Sequence, residues 1–171
     1  MLSTDERSEA GHDDASVSQD ALRFPLAGTG YQVAMSPRRL LVVAVSHVDE
    51  AALREEVRRH AGGEAAEVHI VAPIQDTSLL QRLTGDVDKA RAEAGEIAHE
   101  AEEAVEGIAD VEVEIGDANA LLAIGDALAA FHADELIVVG DTDSEWLERE
   151  DTQDGLKRLG LPVTRLVVGD T

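Results

Sequence analysis

Leu136-Ile137-Val138-Val139-Gly140 is an apolar run with no polar side chain to offer to water, and it is closed by a glycine. A strand of this kind is buried on both faces, the situation inside a parallel sheet covered by helices on either side. Leu40-Leu41-Val42-Val43-Ala44-Val45 has the same character. Val68-His69-Ile70-Val71-Ala72-Pro73 repeats it with one histidine inserted. Val111-Glu112-Val113-Glu114-Ile115 instead alternates strictly, the pattern of a half-exposed strand at a sheet edge. Val163 to Val168, after Gly160-Leu161-Pro162, reads as a fifth strand.

Segments of helical period separate these strands. Asp49 is placed to cap a helix running to about Ala61, with Leu53, Val57 and Ala61 on one face and Gly62-Gly63 at its end. A long helix is predicted from about Asp86 to Ile108. Its stripe is Val87, Ala90, Ala94, Ile97, Ala101, Ala104 and Ile108. Gly116-Asp117-Ala118-Asn119 opens a third helix carrying Leu121, Ile124 and Leu128, and a short one lies around Leu156 and Leu159. Residues 74–85 read as a loop with a helical turn at Leu79-Leu80. The alternation predicts an α/β fold, a doubly wound five-stranded parallel sheet with helices on both faces. Residues 1–36 are rich in Ser, Asp, Glu, Gly and Ala and read as a flexible acidic leader, leaving 37–171 as the folded domain.

Composition removes several functions. Aromatic residues make up 2% of the chain and the formal charge is -22. Stacking platforms for bases are therefore missing, and the field repels phosphate backbones and anionic membranes. Nucleic acid and membrane are not expected partners. The acids far outnumber twelve Arg and two Lys, a balance that suits a salt-loaded cytoplasm, although a GC-rich genome also favours Arg. No cysteine is present, so thiolate metal sites and disulfides are excluded. No apolar run approaches the ~20 residues of a membrane span, and the N-terminus does not read as a secretory signal, so a cytoplasmic location is expected.

A doubly wound sheet binds ligands at the carboxyl ends of its strands. Here those ends are Ser46-His47, Pro73-Ile74, Gly116-Asp117 and Gly140-Asp141. No Walker motif occurs, and Gly28-Thr29-Gly30 precedes the first strand and lacks a third glycine. Ser46 and His47 are neighbours in extended chain and point opposite ways, so no catalytic triad is read and no enzyme is expected. Glu96 and His99 stand one helical turn apart, a metal-helix spacing that here reads as a solvated charged face. No metal is expected. Trp146, in the acidic stretch after the fourth strand, reads as an anchor for that stretch, with a lid or partner contact as the sharper alternative.

Arg39 to Val45, Gly116-Asp117, Ala133-Asp134-Glu135-Leu136-Ile137-Val138-Val139-Gly140 and the closing Leu161-Pro162-Val163 together resemble the universal stress protein domain, over roughly residues 37–169. The resemblance implies an adenine nucleotide alpha-hydrolase-like sheet and a homodimer through the last strand, with Val163, Leu166 and Val168 as the candidate contacts. One branch of that family binds ATP through Gly-x2-Gly-x9-Gly-(Ser/Thr), beginning at the glycine that ends the fourth strand. Gly140 matches, but Asp143, Gln153 and Asp154 occupy the other positions, and Ser46 replaces the family's acid after the first strand. Asp143 adds a Cβ and a charge where backbone N–H groups would approach phosphate. The expectation is a regulatory or stress-response module acting through dimerisation and protein contacts, with no cofactor and ATP disfavoured. The alternative is a nucleotide-responsive switch whose divergent, metal-bridged site is lined by Ser46, Gly116, Asp117 and Gly140.

Overall fold

The computed structural model describes residues 36–74, 87–142 and 145–169, without the side chains of Glu145 and Trp146. Residues 1–35 of the leader expected over 1–36, the helical turn expected at Leu79-Leu80, Asp143 and both readings of Trp146 lie outside the described residues. Five strands, β1 (Arg38–Ala44), β2 (Ala66–Pro73), β3 (Ala109–Gly116), β4 (Glu135–Asp141) and β5 (Val163–Val168), form one sheet. Its order is β3-β2-β1-β4-β5, and every neighbouring pair is parallel. The helices are α1 (Glu50–Ala61), α2 (Val87–Val105), α3 (Ala120–Ala130), α4 (Glu145–Glu148) and α5 (Glu150–Arg158).

From β1 at the centre the chain winds outward through β2 to β3, then crosses back to β4 and continues to β5. This is the doubly wound fold that the strand patterns predict. Alternate residues of β1 feed two cores. Leu40, Val42 and Ala44 pack with α1 and α2 through Leu53, Val57, Ile97 and Ala101. Leu41, Val43 and Val45 pack on the other face with Ala123, Ile124, Ala127, Leu147 and Leu156. Leu40 to Ala44 are all fully buried. β3 lies at the edge as its alternation requires: Val111 and Val113 lean on the core while Asp110, Glu112 and Glu114 are exposed.

Asp49 caps α1 by accepting from Ala52 N at 2.9 Å. Arg54 of α1 then reaches α2, its Nε donating to Ala104 O at 2.7 Å and its Nη2 to Glu103 O at 3.3 Å. Those carbonyls lie in the last turn of α2, where no intrahelical donor remains. The helix ends at Val105, three residues short of the expected Ile108. Gly107 adopts φ 78°, a left-handed exit that costs a glycine little, and Ile108 packs against the core from the turn instead. Val87, expected in the buried stripe, is 40% exposed because it opens the helix.

Gly116 ends β3 where α3 presses closest. A Cβ there would stand 2.6 Å from Ala123 Cβ and 2.8 Å from Val71 Cγ1, both part of the packed core. Gly116→Ala is expected to cost about 1–3 kcal/mol through overpacking. Urea denaturation reads this directly, and an unchanged midpoint would mean that α3 yields without cost.

Candidate functional site

The direction of winding reverses between β1 and β4, so the crevice of this sheet opens at their carboxyl ends. Ala44 pairs with Val139, and Val45 N donates to Val139 O at 3.0 Å, which zips the two strands to the brink. Ser46 and Gly140 therefore stand at the switch point. Gly116 and Asp117 lie beyond β2, at the end of the edge strand. The four residues proposed from sequence thus fall into two pairs, separated by about two strand spacings of 4.7–4.9 Å each.

The second pair serves the entry to α3. Asp117 Oδ1 accepts from Asn119 N at 2.8 Å, and Asn119 Oδ1 accepts from Leu121 N and Leu122 N at 3.1 and 3.3 Å. The helix start satisfies its own donors. Gly116 is buried, and its carbonyl accepts from Ile74 N at 3.4 Å. At the first pair, Ser46 Oγ donates to the His47 carbonyl at 3.4 Å and does not meet the imidazole.

His47 turns instead to α2. Its Nδ1 lies 3.0 Å from both carboxylate oxygens of Glu100, and Val48 N donates to Glu100 Oε2 at 3.3 Å. One carboxylate thereby holds two consecutive residues of the β1–α1 turn. The hydrogen bond to Glu100, then its charge, raise the His47 pKa above the ordinary imidazole value; Glu93 and Glu96 add to this, and slight burial opposes it. Sequence reading missed Glu100, drawn instead to Glu96 and His99. The available signal was its place beside the stripe Ile97, Ala101 and Ala104. His99 faces Glu102 and Glu103 at 3.5 and 3.7 Å, on an exposed helix face.

After β4, residues 147–153 are anchored to the core and to β5. Leu147 is 6% exposed and packs in the same core as Val43 and Val45. Its carbonyl accepts from Gln153 Nε2 at 3.3 Å and from Arg165 Nη2 at 3.4 Å. Arg149 caps α5 with no side-chain hydrogen bond, and Glu150 and Asp151 occupy the first turn.

Two solved structures share this architecture. A universal stress protein from Archaeoglobus fulgidus in complex with dAMP aligns at a TM-score of 0.50 and 18% identity, over 77% of this chain and 98% of that one. A structure of universal stress protein from the same organism aligns at 0.53 and 17% identity, over 77% and 95%. The chain has the universal stress protein fold. No protein-family model matches its sequence, and no curated protein matches it either.

Within the stress-protein fold, the ends of β1 and β4 thus have the His47–Glu100 clamp on one face of the sheet and Leu147, packed with Val43 and Val45, on the other. Gln153, which stands where the ATP-binding pattern has a glycine, spends its amide on Leu147. No helix among the described residues is long and apolar enough to cross a membrane.

Because the folded pKa of His47 is raised, the clamp's stabilisation is complete below the unfolded imidazole value and is lost as pH rises through the folded value. Glu100→Gln is expected to bring the His47 titration down toward ~6.5. Ring-proton NMR across pH 5–9 measures it, and a curve that does not move would assign the shift to some other group.

Proposed function

We propose that this chain is a non-enzymatic stress-response module that works through a homodimer and protein contacts, without tight, metal-independent ATP binding. The observation that carries this reading is the anchoring of residues 147–153, which follow β4. Leu147 is seated in the core, and Gln153 and Arg165 are fastened to its carbonyl. A phosphate site in such a fold needs backbone N–H groups free to converge on oxygen. Here the nearby Asp141, Glu148, Glu150, Asp151 and Asp154 add like charge instead. Repulsion at ~4–6 Å from a polyphosphate is costly without a bridging cation.

The contact surface of the proposed dimer is the outer edge of β5, which among the described residues pairs with β4 alone. Leu166 and Val168 lean against the core shared with α1 and α2, and Val163 leans toward α3 and α5. All three are half-buried. Val167, 53% exposed, joins Val163, Leu166 and Val168 as a candidate contact, together with the strand backbone. An edge that pairs with its own copy closes a two-fold assembly.

A nucleotide-responsive switch is the second reading. It is favoured by the structural neighbour bound to dAMP and by the place of half-buried Ser46 and buried Gly140 at the switch point. In that reading a divalent cation bridges the phosphates to the acids that follow β4.

Light scattering coupled to size exclusion, in low and high salt, is expected to give a dimer that Val167→Lys converts to monomer. Monomer in the unaltered chain at every salt concentration would remove the dimer. Thermal denaturation with ATP, ADP, AMP and cyclic nucleotides is expected to show no rise without metal. A clear rise with Mg²⁺ or Mn²⁺ present would favour the switch.

A further inference from the structure

His69 sits in β2 facing the side of the sheet that carries α3, and its side chain is 5% exposed. The ring is stacked on Phe131, with centroids 5.3 Å apart and planes inclined by 25°. Arg39 lies over the Phe131 ring at 4.4 Å, and its Nε bonds Glu67 at 3.0 Å. The imidazole is therefore held in one plane. Register pairs His69 with Glu112 on β3 and places Glu114 two residues further along the same face.

The two ring nitrogens are treated differently. Nε2 lies within hydrogen-bonding reach of Glu114 Oε2, at 3.3 Å. Nδ1 is buried and has no hydrogen-bond partner, although Glu112 Oε2 stands 3.4 Å away. The approach of Glu112 to Nδ1 is a close charge contact without hydrogen-bond geometry, whereas that of Glu114 to Nε2 has it. A buried polar atom left unsatisfied is costly and calls for a partner. A neutral imidazole with its proton on Nε2 directs the Nδ1 lone pair at a carboxylate, which is repulsive unless a cation lies between.

We propose that His69 Nδ1 and Glu112 Oε2 are two ligands of a late first-row divalent cation, Zn²⁺ being the best match, with Glu114 fixing the tautomer through Nε2–H. Donors about 2.0–2.2 Å from a tetrahedral metal stand about 3.4 Å apart, the separation found here. An imidazole ligand selects such metals over Mg²⁺ or Ca²⁺, which take oxygen. A carboxylate on the second ring nitrogen is the usual companion of a metal-binding histidine. Among the described residues no three His, Asp or Glu side chains converge on one point, so water completes the coordination and binding is weak and open. Glu112, 78% exposed on the edge strand, is the ligand that swings to admit the ion. The chain's strong negative charge concentrates cations at its surface.

The test uses the full chain labelled with ¹⁵N-histidine, titrated with Zn²⁺ and separately with Mg²⁺ up to millimolar, while NMR follows the ring nitrogens. The expected result is a His69 ring protonated at Nε2 alone, whose Nδ1 signal moves with Zn²⁺ and not with Mg²⁺. Glu112→Gln, on the exposed edge and compatible with folding, is expected to weaken the Zn²⁺ effect at least about tenfold, and Glu114→Gln to weaken it on the same scale. The proposal is overturned if the His69 nitrogens stay unmoved, if His99 responds while His69 does not, or if Glu112→Gln titrates like the unaltered chain.

Discussion

Everything in this molecule depends on β1 being apolar on both faces. A strand with Leu40, Val42 and Ala44 on one side and Leu41, Val43 and Val45 on the other cannot lie at a surface. It requires helices above and below, and helices on both faces require crossover connections rather than hairpins. With β1 fixed at the centre, the two halves of the chain must wind outward in opposite directions. The point of reversal is then forced to lie beside β1. The candidate crevice is thus a consequence of one run of six residues, and its lining is whatever the sequence places just after Val45 and Val139.

The two edges of the sheet are chemically unlike, and the difference bears on assembly. β3 presents Asp110, Glu112 and Glu114 on one face, and such charges discourage another chain from adding to an edge. β5 presents Val167 beside a single Arg165, whose guanidinium is already turned to Leu147. A sheet with two sticky edges could extend without limit, whereas one sticky and one charged edge favours a closed pair. The same acidity that disfavours a phosphate backbone would thereby also limit how copies of this chain could meet.

The fold was legible because its signals are local. Doubly apolar runs, the alternation of Val111 to Ile115, the cap at Asp49 and the glycines after Ala61 each act within a few residues, and each has its counterpart in the structure. Even the overrun of α2 is local in origin: the 3.6 period continues to Ile108, and only the left-handed turn at Gly107 cuts it short. The site was less legible because its contacts are long-range. Glu100 meets His47 across 53 residues, Arg165 meets Leu147 across 18, and Glu114 meets His69 across 45. Nothing in the spacing of those residues announces the pairing. Gly116 shows another long-range dependence: what the sequence offers as a glycine at a strand end is also where α3 packs too closely for a Cβ.

The histidines divide by what their carboxylate neighbours do for them. His47, exposed, uses Glu100 to hold a turn at the crevice, and His99 lies in a field of exposed glutamates that fixes nothing else. His60 is different: Nε2 meets Glu56 at 2.8 Å, Nδ1 meets Glu135 at 2.9 Å, and Glu135 also accepts from Thr164 Oγ1 at 3.2 Å. Both carboxylates are largely buried, so this chain of contacts ties α1 through β4 to the edge strand β5. A buried pair broken on one side leaves an uncompensated charge, which costs more than the intact pair contributes. The position of β5, and with it the edge through which copies of this chain would meet, therefore rests on a polar link at the opposite end of the sheet from the crevice. A ligand at the crevice and a partner at β5 would act on the same strand, β4, whose start is held by His60 and whose end opens at Gly140.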